Sequence, residues 1–104
     1  MIDKDLYGGL IRLHILHHAE EHQLFGQWLI DELGHHGYHV SPGTLYPMLH
    51  GLEAKAYLRS TIKVQGGRQR RVYRITPAGR TALADAKVKV MELFGELFEE
   101  RPRR

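Results

Sequence analysis

Ser41-Pro42-Gly43-Thr44-Leu45-Tyr46-Pro47-Met48-Leu49-His50-Gly51-Leu52-Glu53 is the stretch on which the reading of the fold turns. Serine followed by proline is a helix start: the serine sits at the N-cap, and proline at the first helical position loses an N–H that would go unpaired anyway. Leu45, Leu49 and Leu52 then fall on one inward stripe, bordered by Met48. Thr44, Tyr46, Pro47, His50 and Gly51 point away from it. Pro47 lies within the first two turns, where one missing donor does least harm. A helix of this kind anchors by its leucines and presents the opposite face to a partner.

Upstream, Leu6 to Ala19 carries Leu6, Leu10, Leu13 and Leu16 at helical spacing, with Ile11 and Ile15 beside them, which predicts an amphipathic helix with a wide apolar face. Gly8 and Gly9 weaken its first turn and move its expected start toward Leu10. A second helix is expected from Gly26 to Leu33, ended by Gly34 in a left-handed conformation. Trp28, the one tryptophan, is read as a packing residue on it. Downstream, Tyr57 to Val64 alternates Leu58, Ile62 and Val64 against Arg59, Thr61 and Lys63. Arg70 to Ile75 alternates Arg71, Tyr73 and Ile75 against Arg70, Val72 and Arg74. Gln65-Gly66-Gly67-Arg68-Gln69 between them has the chemistry of a hairpin turn. A two-stranded hairpin is marginal alone, so it must lean on the helices. Thr76-Pro77 repeats the cap-then-proline start and opens a long helix from about Ala78 to Glu100.

The predicted fold is mainly α with a small β-hairpin: a winged helix-turn-helix over residues 1–76, then a C-terminal dimerisation helix and basic tail over 77–104. The last helix carries Leu83, Ala86, Val90, Leu93 and Leu97 on one side and Met91, Phe94 and Phe98 on the adjoining side. A small winged domain has too little chain to cover so wide a face, so a second subunit in a two-fold homodimer is the expected cover. Folding back onto its own domain is the alternative. The expected interface residues are Leu83, Val90, Met91, Phe94, Leu97 and Phe98.

At 104 residues, with 42% apolar and 26% charged residues, the chain has the makings of one ordinary globular core. Cysteine is absent, which excludes a disulfide scaffold, a thiolate metal site and a cysteine nucleophile. No apolar run reaches the roughly 18–20 residues of a membrane helix, and the start lacks a signal-peptide pattern, so a cytoplasmic protein without membrane partners is expected. The net charge of +3 hides a strong asymmetry. Residues 54–84 hold eight lysines and arginines and no acid, whereas residues 1–53 hold two basic residues against seven acidic ones. One-sided charge of this size is the footprint of a polyanion partner, because each neutralised phosphate releases condensed counterions. Double-stranded DNA is the expected one. In a helix-turn-helix the second helix enters the major groove, which gives Thr44, Tyr46 and His50 to base edges, and Ser41 and the Gly43 backbone to phosphate. Lys63, Arg68, Arg70 and Arg71 of the hairpin would anchor on the backbone or an adjacent minor groove. Tyr46 admits a second role, as packing between helices.

The stretch 41–53 resembles the recognition-helix signature of PadR-family transcriptional regulators. Gly67-Arg68-Gln69-Arg70-Arg71-Val72-Tyr73-Arg74-Ile75-Thr76-Pro77-Ala78-Gly79-Arg80 is similar to the same family's wing and entry into the last helix, and Leu24-Phe25-Gly26 to the element that opens its second helix. The similarity spans roughly residues 10–82. It implies a dimeric winged-helix repressor of the short subfamily, acting on inverted repeats, with a small-molecule effector that lowers DNA affinity. Known drug-binding members carry a tryptophan on the last helix; here Phe94 and Phe98 stand there instead.

Eight histidines in 104 residues need their own account. His14, His18 and His22 follow an i, i+4, i+8 course, with His17 beside them, and an i, i+4 pair can hold one metal ion. Glu20, Glu21 and the His35-His36-x-x-His39 loop could add ligands, and this donor set suits zinc, nickel or cobalt. No cofactor is required for DNA binding. A transition-metal effector bound between the first and last helices is the alternative regulatory reading, and a His-rich solvated face is the plain one. A hydrolase using these histidines with Glu20 or Glu21 as base is disfavoured, because there is no His-Glu-x-x-His, no carboxylate pair on the helix interior and no evident substrate cavity in so small a chain. Sequence-independent nucleic-acid binding, with Tyr73 stacking a base, is a further alternative.

Overall fold

The computed structural model describes residues 3–99. In chain order the elements are α1 (Lys4–Glu21), β1 (Leu24–Phe25), α2 (Gly26–His35), α3 (Pro42–Ala54), β2 (Leu58–Gln65), β3 (Arg68–Ile75) and α4 (Pro77–Phe98). The strands form one antiparallel sheet in the order β1-β3-β2.

α1 starts earlier than its glycines suggest. The Asp3 carboxylate accepts hydrogen bonds from the Asp5 and Leu6 amides, both at 3.1 Å, and this cap sets the first turn ahead of Gly8 and Gly9. Its core face is Ile11, Ile15, Leu16 and Ala19, whereas Leu6 and Leu10 remain exposed, Leu10 on the side toward α4. α2 runs on through Gly34 to His35, and the left-handed residue that ends it is Gly37, at φ 88°. Gly34 is therefore helical and its expected capping role passes to Gly37.

The main core joins Ile11, Ile15 and Leu16 of α1 to Leu29 and Leu33 of α2, Leu45, Leu49 and Leu52 of α3, and Leu58 and Tyr73 of the sheet. The leucines of the recognition stretch sit where their spacing put them. The hairpin closes through Gly66 and Gly67, both with positive φ (54° and 76°), between the paired residues Gln65 and Arg68. Two consecutive left-handed residues match the twist of a two-residue hairpin and favour glycine at both positions.

The hairpin is the larger part of a three-stranded sheet, for the expected second strand has a neighbour on each side. Leu24 and Phe25 pair with Tyr73 and Val72 on the edge of β3 away from β2. This makes β3 the central strand, so that adjacent Val72 and Tyr73 are both fully buried. Tyr73, placed in the core, has no ring face free for a base, which removes the stacking role read from the sequence. Farther out, Ile62 and Val64 are exposed on the wing.

α4 is joined to the body at a tight seam. The Thr76 hydroxyl accepts from the Gly79 amide at 2.9 Å and donates to the Ala56 carbonyl, while the Thr76 amide donates to the Tyr57 carbonyl at 3.1 Å. A methyl on Gly79 would run into the Tyr57 backbone and the Ile75 side chain, so this turn admits only glycine without a shift. Past the seam the helix lies along α1 by way of Leu83, Val90 and Met91, while Leu93, Phe94, Leu97 and Phe98 stay exposed. The radius of gyration is 15.5 Å, against about 13 Å for a compact chain of this length.

Candidate nucleic-acid interface

α3 lies between the core and solvent with its leucines inward. Ser41, Gly43, Tyr46 and His50 are exposed and Thr44 is partly covered. The start of α3 differs from expectation in one respect. Ser41 occupies the N-cap position, yet its hydroxyl makes no bond to a backbone amide and instead approaches the Thr44 hydroxyl at 3.4 Å. The Thr44 and Leu45 amides donate to the Ser41 carbonyl at 3.0 and 2.9 Å, so the Gly43 amide and the positive end of the helix are what the exposed surface presents, an arrangement suited to phosphate.

α3 and the wing open onto one groove, lined among others by Gly26, Tyr46, Arg68, Arg70 and Arg71. Tyr46 is both packed and exposed. Its phenol lies so close over Gly26 that a methyl there would collide with the hydroxyl, yet the residue is still 36% exposed toward the groove. Packing against α2 fixes the ring and leaves one side free. His50 sits beside it, 6.4 Å between ring centroids.

Each wing cation is placed differently. Arg70 lies over the Phe25 ring, 4.7 Å from guanidinium carbon to centroid, a cation–π contact that holds it against β1. Arg71 donates to the Ser60 hydroxyl at 2.9 Å. Lys63 pairs across the hairpin with Arg70, and Arg68, paired with Gln65 beside the turn, has a guanidinium with no hydrogen bond or ion pair among the described residues. Arg74 is turned away to Gln23, at 2.9 Å.

One positioning residue escaped the sequence reading. Glu53, at the end of α3, accepts from the Ser60 amide at 3.1 Å and the Ser60 hydroxyl at 2.7 Å, and Ser60 in turn receives Arg71. This relay fixes the recognition helix relative to the wing. Its signal was available: Glu53 is the single carboxylate between Glu32 and Asp85, in the most basic part of the chain.

The expected interface residues of α4 divide in two. Leu83 is buried in its own chain's core at 4% exposure, so it belongs to the root of the helix. Val90, Met91, Phe94, Leu97 and Phe98 are all exposed, with the Phe94 and Phe98 rings 4.9 Å apart. A groove between α1 and α4, lined by Leu10, Leu13, Leu83, Val90 and Met91 with His14 and His17 at its rim, continues this apolar surface. Glu100 and the tail 101–104 lie outside the described residues.

The metal reading from the sequence needs correction. α1 ends at Glu21, and His22 is its C-cap in extended backbone (φ −164°), so the i, i+4, i+8 course is broken before its third member. The His22 Nδ1 contacts the Gln23 carbonyl at 2.9 Å and its ring meets Trp28 edge-on at 4.7 Å. His36, just past α2, takes the third position: His14, His18 and His36 offer ring nitrogens that all lie within 4.8 Å of one another. The cluster joins α1 to α2, not α1 to α4. Of the suggested extra ligands, Glu20 pairs with Arg80 at 3.5 Å and Lys87 at 4.0 Å, and Glu21 lies 3.7–3.8 Å from His17 and His18.

No helix among the described residues is long and apolar enough to cross a membrane. The model of the transcriptional regulator PadR-like family matches residues 15–85. The transcriptional regulator Rv3488 of Mycobacterium tuberculosis is 56% identical over 87 residues, which cover 84% of this chain and 81% of that protein. A PadR family transcriptional regulator from Eggerthella lenta superposes with a TM-score of 0.77 at 27% identity, over 93% of this chain and 88% of that one. A PadR-like transcriptional regulator from Bacillus cereus does so with 0.78 at 25% identity, over 93% and 99%. Recognition stretch, wing and four-helix frame thus occur together in the order these relatives share, and the chain belongs to the PadR-like family of transcriptional regulators.

Proposed function

We propose that the chain is a sequence-specific DNA-binding repressor that acts as a homodimer on an inverted-repeat operator. The observation that carries this reading is the groove that Tyr46 of α3 shares with Arg68, Arg70 and Arg71 of the wing; Ser41, Gly43, Thr44, His50 and Lys63 lie outside its lining. Thr44, Tyr46 and His50 read base edges; Ser41 and the Gly43 amide meet phosphate at the helix start. Arg68, Arg70, Arg71 and Lys63 hold the flanking backbone. Residues 1–76 form the reading unit, and α4 joins two of them through Val90, Met91, Phe94, Leu97 and Phe98. Two-fold symmetry then presents the reading helices to half-sites about 34–36 Å apart, one helical turn. An effector acts by favouring one angle between the two winged units, in proportion to its preference for that arrangement.

The test is a duplex-binding titration at several salt concentrations, with DNA from upstream of the gene against a scrambled duplex. The expected result is tight binding to the upstream DNA alone. Equal and steeply salt-dependent binding to both would leave a sequence-independent nucleic-acid module and overturn the repressor reading.

A further inference from the structure

The histidine cluster between α1 and α2 is not needed to contact DNA, and the core would be simpler without it. His18 is the single buried polar residue among the described ones, at 8% exposure, and its Nε2 is enclosed with no hydrogen-bond partner among them. Natural cores rarely leave such an atom unpaired without a use for it. Around it stand the His14 and His36 rings, each 6.1 Å from the His18 ring and 4.7 Å from each other. Glu32 closes the far side, its carboxylate 3.0 Å from His36 Nε2 and 3.7 Å from His18 Nε2.

We propose that His14, His18 and His36 form a binding site for one divalent transition-metal ion of the zinc class, with Glu32 as its supporting carboxylate. The donor chemistry selects the class. Three imidazoles with an adjacent carboxylate match zinc, cobalt or nickel; calcium and magnesium demand more oxygen ligands than the cluster holds. The Glu32–His36 pairing is the one that in metal centres orients an imidazole: with Nε2–H directed to the carboxylate, Nδ1 keeps its lone pair for the ion.

Binding requires the nitrogens to close from at most 4.8 Å to the about 3.4 Å spacing of tetrahedral ligands at bond lengths near 2.1 Å. Rotation of the His14 and His36 side chains supplies that movement. Burial first, and then neighbouring imidazoles, hold the His14 pKa below its ordinary value. Burial also lowers that of His18, against the pull of Glu32. A second group, His17, His18 and Glu21, shares His18 but lies on α1 alone, mostly at the surface. It ties no two elements together.

The ion would clamp α1, which packs on α4, to α2, which opens the helix-turn-helix. This regulatory consequence rests on the DNA-binding reading above; the metal site itself does not. The test uses the full chain stripped of metal and titrated calorimetrically with zinc, with cobalt as the optical reporter of nitrogen coordination. One ion per chain and a tetrahedral cobalt spectrum are expected. His36→Ala, at an exposed position that leaves the core intact, should weaken zinc binding more than 100-fold, and Glu32→Gln about 10–100-fold. His17→Ala and His22→Ala should leave it unchanged. Absence of binding in the parent chain, or loss in His17→Ala but not in His36→Ala, would overturn the site. In the DNA titration, zinc should shift the affinity of the parent for its upstream duplex by about 5–150-fold and that of His36→Ala by nothing. A parent that binds zinc and DNA without such a shift would overturn the clamp. A parent that binds zinc but no DNA would overturn the proposed function and leave the site standing.

Discussion

α3 and α4 begin with the same signal and end in opposite situations. Each opens with a hydroxyl residue and a proline, Ser41-Pro42 and Thr76-Pro77, and each carries an apolar stripe. In α3 the stripe is fully spent within the chain, with Leu45, Met48, Leu49 and Leu52 buried and the polar face turned out. In α4 only Leu83 reaches the core among the large apolar residues, while Met91, Leu97 and Phe98 are each more than 60% exposed. The starts differ too. Thr76 caps its helix and bolts it to the Ala56–Tyr57 turn, whereas the Ser41 hydroxyl leaves its helix start open. The difference teaches that a start signal and a stripe locate a helix but say nothing of what covers it. α3 turns its polar side outward because its apolar side is satisfied; α4 keeps an apolar side outward because, among the described residues, the body covers only part of it.

The largest effect on this contrast is expected at α4. Phe94→Asp places a charge on the exposed stripe, so it should yield folded monomers by sedimentation and lose about 10²–10⁴-fold in operator affinity, the gain that linking two reading heads provides. A persisting dimer would mean that the subunits meet elsewhere. In α3 the corresponding truncation should act on folding instead. Leu49→Ala empties a fully buried site and should cost about 2–5 kcal/mol in denaturant unfolding. Leu97→Ala in α4 should leave the unfolding of a monomer unchanged; if both cost alike, the distinction between the helices fails.

A smaller difference is expected at the caps. Thr76→Ala removes a cap bond and should destabilise by about 1 kcal/mol, while Ser41→Ala, where no cap bond exists, should change stability far less. Equal losses would mean that Ser41 caps its helix in solution. The smallest structural effect belongs to Arg68→Ala, beside the turn, whose guanidinium has no hydrogen bond or ion pair among the described residues. Stability should be unaltered, and the slope of log affinity on log salt should become shallower by about 1 for each lost phosphate contact. An unchanged slope would remove Arg68 from the DNA contacts.

What was legible in the sequence follows from range. Periodicity and caps are local, so α3, the hairpin turn and the start of α4 could be read where they stand. The β1 strand is two residues long and exists through its pairing with Val72 and Tyr73, nearly fifty positions away, which no local pattern encodes. The same holds for Tyr46, whose place is fixed by the missing side chain of Gly26. The histidines stand out in the sequence as a class, but helical spacing groups only those inside one helix: His22 lies past the end of α1, and the third ring comes from beyond α2. The Glu53–Ser60–Arg71 relay was hidden for the same reason, although its isolated carboxylate was in plain view.

The glycine seam at the start of α4 has a mechanical consequence. A helix of 22 residues is a lever about 33 Å long, and Gly79 holds its short end against the Tyr57 backbone with no room for a methyl. A rotation of about 6° at that fulcrum carries the far end through about 3.4 Å, the rise of one base pair. In the proposed homodimer, displacements of a few tenths of an ångström at the seam would be magnified into whole steps along a DNA axis. The Gly79 contact, with the Glu20 pairs to Arg80 and Lys87, would then set how finely the spacing between two reading heads is held.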